Sequence, residues 1–129
     1  MNPTEKLKWL KRVLLLKIIA VLFVWGLPAL TGPASLLRLF GVSLPEDPFF
    51  LRTFGAVSVG LTLLYWYAYR EPIRNRDIVK YAVFDNSLST LAILFIALTS
   101  GLSSWFFWVS GALTAFFAAA FWVLIPQEI

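Results

Sequence analysis

Four nearly uninterrupted apolar runs, separated by short polar breaks, make up most of this chain: Val13 to Leu30, Phe49 to Tyr69, Ile78 to Thr99 and Trp105 to Ile125. Each is close to the ~20 residues that cross a hydrocarbon layer at about 1.5 Å per residue. An unpaired backbone amide in lipid costs on the order of several kcal/mol, so runs that are apolar on every face predict α-helices. The residue-by-residue alternation of a membrane β-barrel is absent. The predicted fold is all-α: a polytopic membrane protein with four transmembrane helices in an antiparallel bundle, forming a single domain over residues 1–129.

The breaks carry helix-boundary chemistry. Asp47-Pro48 offers an N-cap followed by proline at the first helical position, Pro72 stops the second span, Asn75 is placed to cap the third, and Pro126 ends the fourth. The connection Gly101-Leu102-Ser103-Ser104 is so short that spans three and four must form a hairpin. The loop from Thr31 to Asp47 is longer and contains Ala34-Ser35-Leu36-Leu37-Arg38-Leu39-Phe40 before Gly41. It reads either as a short helix in the outer interface, with Leu36, Leu37 and Phe40 in lipid and Arg38 toward the headgroups, or as an irregular packed loop. Basic residues ahead of the first run and the small residues Gly32-Pro33-Ala34-Ser35 resemble a cleavable signal, but the segment is read as a retained membrane helix.

Composition supports the bilayer assignment, since 60% of residues are hydrophobic and 14% charged, against about 25% charged in soluble domains. The net charge of +4 does not imply nucleic acid, because the basic residues flank apolar runs. Lys6, Lys8, Lys11, Arg12, Lys17, Arg70, Arg74, Arg76 and Lys80 fall on one predicted side, and only Arg38 and Arg52 on the other. The positive-inside bias therefore predicts that both termini and the middle loop are cytoplasmic, and it argues against dual topology; the membrane expected is a bacterial inner membrane. With no Cys, no His and Met1 as the sole methionine, no metal or haem is expected to be held by those side chains. Contact with lipid, quinone or pigment remains open.

Asp85 is the only acidic residue inside a span, and Lys17 lies at similar depth in the first. If spans one and three face each other, the two could pair and spare each other isolation in lipid. Asn86, Ser87, Ser89 and Thr90 continue a polar patch, with Ser89 one turn from Asp85 on the same face. Lys17, Asp85, Asn86 and Ser89 are thus the candidate intramembrane polar site. The plainer alternatives are that they glue helices together, or that Lys17 snorkels to the headgroups while Asp85 meets Arg70, Arg74 or Lys80. The structural role is the favoured one, and on it Asp85→Asn weakens the bundle.

Gly111, Ala115 and Ala119 recur every four residues in span four, and Ala56 and Gly60 do so in span two. Such stripes let another helix approach closely, whether from this bundle or from another subunit. The opposite side of span four carries Phe106, Phe107, Phe116, Phe117 and Phe121, a surface suited to lipid, pigment or quinone tails. Trp25, Trp105 and Trp108 at outer ends, and Trp66, Tyr67, Tyr69, Tyr81 and Trp122 toward inner ends, read as interfacial belts. Arg52, one turn below the outer end of span two, reads as an anchor that snorkels outward, pairs with Glu46 or Asp47, or joins Arg38 in contacting lipid headgroups.

No nucleophile–base set, paired carboxylates, P-loop or HExxH motif is present, so an enzyme is not expected. The run Arg52-Thr53-Phe54-Gly55 to Gly60, followed by Tyr65-Trp66-Tyr67-Ala68-Tyr69-Arg70-Glu71-Pro72, resembles small bacterial four-helix membrane proteins of the DoxX-like group. That resemblance implies a four-helix bundle and, in some members, an accessory role beside a quinone-linked oxidoreductase. Small multidrug transporters are similar in having four short spans but use a glutamate in span one, where this chain has Lys17; fluoride channels are similar in length but have dual topology. The expected function is a non-enzymatic accessory or assembly subunit of a larger membrane complex, redox or photosynthetic, packing against partner helices and lipids. The alternative is a homo-oligomeric transporter or hydrophobic-ligand carrier using Asp85 and Lys17.

Overall fold

The computed structural model describes residues 1–102 and 104–127. Among them there is no strand, and four helices are long and apolar enough to cross a membrane: α1 (Pro3–Thr31), α3 (Phe49–Arg70), α4 (Arg76–Thr99) and α5 (Trp105–Leu124). A shorter helix, α2 (Ala34–Leu39), lies between α1 and α3. Ser103, within the tight connection between the last two spans, lies outside the described residues.

The first helix is longer than its apolar run. Asn2 caps it by accepting from the Glu5 amide at 2.8 Å, with Pro3 in the first turn. Its 29 residues would extend about 43 Å, more than a hydrocarbon core of about 30 Å, so the basic first turns project beyond the apolar run. Midway, Val21–Gly26 is wound as a π-turn, closed by the Leu27 amide donating to Leu22. The cause is local. Pro28 has no amide hydrogen and its ring crowds the carbonyl one turn back. Gly26 permits the wide turn, because a Cβ there would press on the Val21 carbonyl and on Val59 of α3.

The other ends are fixed by side chains, in part differently from expectation. Asp47 accepts from the Phe49 amide at 3.0 Å, and Pro48 occupies the cap position itself rather than the first helical one. Asn75 makes no side-chain cap for α4; its amide donates back to the Tyr67 and Glu71 carbonyls at 3.0 and 3.1 Å, closing the end of α3 instead. Ser104 caps α5 by accepting from Phe106 and donates to the Phe40 carbonyl at 2.6 Å, tying the loop after α2 to the start of α5. Gly41, at φ 71°, passes directly under Ser104 where a Cβ would collide.

Packing is uneven. α1 lies against both α3 and α5, and α4 lies almost wholly against α5, whereas α3 and α4 share few contacts. The core runs through Leu10, Leu14 and Val21 of α1, Tyr65 and Ala68 of α3, Val79 and Ala82 of α4, and Phe117 and Phe121 of α5. α3 approaches α1 closely at Gly55, where any Cβ would overlap the backbone of Ala29 and Leu30.

The small-residue stripes turn mostly outward rather than toward another helix of this bundle. Ala56, Gly60, Ala115 and Ala119 are exposed, nothing lies near a Cβ built on Gly60, and only Gly111 meets a neighbouring helix, at Ile93 of α4. Span four turns an aromatic face inward. Phe117 and Phe121 are fully buried, stacked on each other at 5.9 Å, and Phe121 stacks on Tyr65 at 6.4 Å. The interior between splayed helices needs volume, which rings supply and alanines do not.

Candidate functional site

The splay between α3 and α4 leaves a cleft of about 540 Å³ inside the bundle, within the range of about 300–1,000 Å³ typical of small-molecule sites. Its walls come from all four long helices. Phe54, Val57 and Tyr81 at its edge are exposed, so it opens onto the apolar flank of the bundle. The four candidate polar residues, Lys17, Asp85, Asn86 and Ser89, all line it.

Lys17 is the centre of this site. Its side chain is 4% exposed, so it is embedded rather than snorkelling, and its ammonium donates to Asn86 Oδ1 at 2.7 Å. The Asn86 amide nitrogen is held by the Ala82 carbonyl one turn back at 2.8 Å, which orients the carbonyl oxygen toward Lys17. Rings complete the surroundings: the ammonium lies 4.7 Å from the Phe117 centroid, 4.8 Å from Trp25 and 5.9 Å from Tyr65. π faces attract a desolvated cation by up to about 2 kcal/mol each.

The expected Lys17–Asp85 pair is not formed. Asp85 is close enough to act on Lys17 electrostatically, but ion pairing among the described residues joins Arg74 to Glu71 and Lys80 to Asp77. The physical reason is register. Asn86, one residue on, projects into the core at 1% exposure, and its neutral amide reaches the ammonium first. The half-buried Asp85 carboxylate sits farther along the cleft wall and takes no hydrogen bond among the described residues.

Trp25, Tyr65, Ser110 and Thr114 also line the cleft, a convergence that span-by-span reading missed. Trp25 Nε1 donates to Ser110 at 2.9 Å, so Trp25 joins α1 to α5 instead of serving only an interfacial belt. The Thr90 hydroxyl lies 2.8 Å from both the Asn86 carbonyl and the Thr114 hydroxyl, forming a polar seam between α4 and α5. Tyr65 is 2% exposed, and its hydroxyl, which faces Asn86 and Asp85, has no partner at hydrogen-bonding distance among the described residues. Buried hydroxyls are ordinarily satisfied, so an unpaired one at a cleft wall marks a donor free for a ligand. The sequence signal was the face itself: Gly55, Ser58, Tyr65 and Ala68 fall on one buried stripe of α3.

Arg52 has a structural task. Its Nη1 donates to the carbonyls of Ala29 and Gly32 at 3.2 and 2.9 Å, satisfying the open end of α1 rather than meeting Glu46 or Asp47. Arg38 is exposed on α2.

The arrangement can therefore hold an apolar molecule against aromatic walls and offer it donors from Lys17 and Tyr65 and an acceptor from Asp85. No protein-family model, curated protein or solved structure matches this chain.

Proposed function

We propose that this chain is an integral membrane protein of the bacterial inner membrane, an antiparallel four-helix bundle with both termini cytoplasmic and α2 lying in the outer interface. Its function is to bind or carry a hydrophobic ligand in the intramembrane cleft. The observation that carries this reading is Lys17, a buried cation at the wall of a cleft open to lipid, with an unpaired Tyr65 hydroxyl beside it. Intramembrane charge is costly and is tolerated where it faces a polar interior or a ligand path. Lys17, Tyr65 and Asp85 supply the polar contacts, and Trp25, Phe54 and Phe107 supply the apolar walls.

A second reading is an accessory or assembly subunit of a larger membrane complex, as the DoxX-like resemblance implies. It draws support from the outward stripes Ala56/Gly60 and Ala115/Ala119, whose small side chains admit a partner helix closely. One experiment separates the two: extraction in mild detergent followed by native mass spectrometry of the intact particle. The ligand reading expects a small apolar molecule retained at fixed stoichiometry and lost from Ser89→Phe, which fills the cleft. A large assembly with no such molecule would overturn that reading in favour of the subunit role.

A further inference from the structure

Taking the cleft to be a hydrophobic-ligand site, as proposed above, its wall charges specify the ligand's head. Lys17 and Asp85 are the charged side chains that line it, one of each sign, so the lining is neutral overall. A head with its own net charge would add an uncompensated charge in a low-dielectric interior, which is strongly unfavourable.

Both groups also keep unused hydrogen-bonding capacity. An ammonium has three donors, and the structure gives Lys17 one acceptor, Asn86 Oδ1. A carboxylate has about four acceptor positions, and Asp85 uses none of them among the described residues. Because no ion pair joins the two among the described residues, they suit a dipole whose acceptor end turns to Lys17 and Tyr65 and whose donor end turns to Asp85. A hydroxyl group carries both an acceptor and a donor. The remaining lining supplies a chain channel: Val57, Leu61, Ile93 and Phe107 continue from the polar floor to the exposed edge at Phe54.

We propose that the cleft binds an uncharged single-chain amphiphile with a hydroxyl head, of the long-chain alcohol or monoacylglycerol class, its head between Lys17 and Asp85 and its chain running out between α3 and α4. An anionic amphiphile would satisfy Lys17 but face Asp85, and a cationic one would do the reverse. A helix of a second copy would fill the apolar channel but leave the polar floor unsatisfied.

The test uses the full chain in phosphatidylcholine nanodiscs and three dodecyl probes with a diazirine on the chain: an alcohol, a sulfonate and a trimethylammonium. Labelled positions are read by peptide mass spectrometry after illumination. The alcohol is expected to label Val57–Leu61 and Ser89–Ile93 at least about ten-fold more than either charged probe, and to be displaced by unlabelled monoacylglycerol. Asp85→Asn, which removes no hydrogen bond seen in the structure, should shift preference toward the sulfonate by about ten-fold, and Lys17→Met should shift it toward the trimethylammonium. A wild-type preference for either charged probe, or equal labelling by all three, overturns the head assignment while leaving the cleft a ligand site. Labelling confined to outward residues such as Phe95 and Leu98, with none in the cleft, overturns the ligand-site reading itself.

Discussion

Replacing Asn86 tests the geometry of the buried cation most directly. In Asn86→Leu the Lys17 ammonium loses the acceptor at 2.7 Å and keeps ring faces at 4.7 to 5.9 Å and the unbonded Asp85 carboxylate nearby. A hydrogen bond to a charged group contributes about 1.5–3 kcal/mol, and stranding one partner of a buried polar pair costs about 3–5 kcal/mol. The surviving cation–π contacts and the added apolar volume of leucine offset part of this, so the expected loss is about 2–3 kcal/mol. Lys17→Met removes the charge itself and strands only a neutral carbonyl, for a loss of about 1 kcal/mol. The double variant has nothing left to strand and should match or exceed the wild type, a coupling of about 3 kcal/mol between the two sites. Reversible unfolding by sodium dodecyl sulfate in dodecylmaltoside micelles, followed by tryptophan fluorescence and far-ultraviolet circular dichroism, gives all three values. An Asn86→Leu protein as stable as wild type, or a double variant whose losses simply add, would mean that the ammonium escapes to the headgroups and that the site does not exist as described.

Four further outcomes follow from the packing and can be read in the same unfolding assay. Gly55→Ala should cost about 1–3 kcal/mol, because its methyl would drive α3 away from the backbone of Ala29 and Leu30. Gly60→Ala, with open space at its Cβ, should be neutral or stabilising by up to about 1 kcal/mol; equal effects at the two glycines would refute the assigned facing of α3. Arg52→Met should lose about 2 kcal/mol with its two bonds to the end of α1, and insensitivity to added anionic lipid would separate this from a headgroup contact. Asp85→Asn should leave stability within about 0.5 kcal/mol of wild type, since Asp85 bonds to nothing among the described residues; a loss above 2 kcal/mol would restore its role as helix glue.

The four spans were legible because lipid leaves helices as the answer to a long apolar run, and Lys17, Asp85, Asn86 and Ser89 were legible because polar groups stand out against such a background. The way they meet was not. A cation in span one suggests the nearest acid, but whether Asp85 or Asn86 faces it turns on one residue of rotation, about 100° in an α-helix. Trp25 shows the same limit. Eight residues beyond Lys17, it would lie about 80° off that face in an unbroken α-helix; the π-turn advances only about 80° per residue and brings the two nearly into line. Gly26-Leu27-Pro28 is the sequence trace of that turn, and it reads as an ordinary proline kink until Gly26 is seen against Val21 and Val59. The inward face of α5 was misread for a related reason. Spacing alone marks Ala115 and Ala119 as a packing stripe, but only the width of the gap decides between alanines and the rings of Phe117 and Phe121.

Two kinds of polar group cross this bundle, and their surroundings separate glue from site. Thr90 and Thr114 share a hydroxyl hydrogen bond across the α4–α5 seam while the other hydroxyl hydrogen is taken by a carbonyl of its own helix, which is sufficient to hold two helices in register. Lys17, Tyr65 and Asp85 do not close among themselves. One has a single acceptor, one has a free buried hydroxyl and one has no partner among the described residues. Apolar side chains of similar volume at these positions would pack the bundle as well or better, since buried charge adds little net stability. A group that stabilises by joining helices is expected at a seam, whereas these three line the gap that α3 and α4 leave between them. On the proposed ligand reading their placement is accounted for by what enters the gap, and the stability of the Lys17→Met/Asn86→Leu protein relative to wild type measures how much the bundle forgoes to keep it polar.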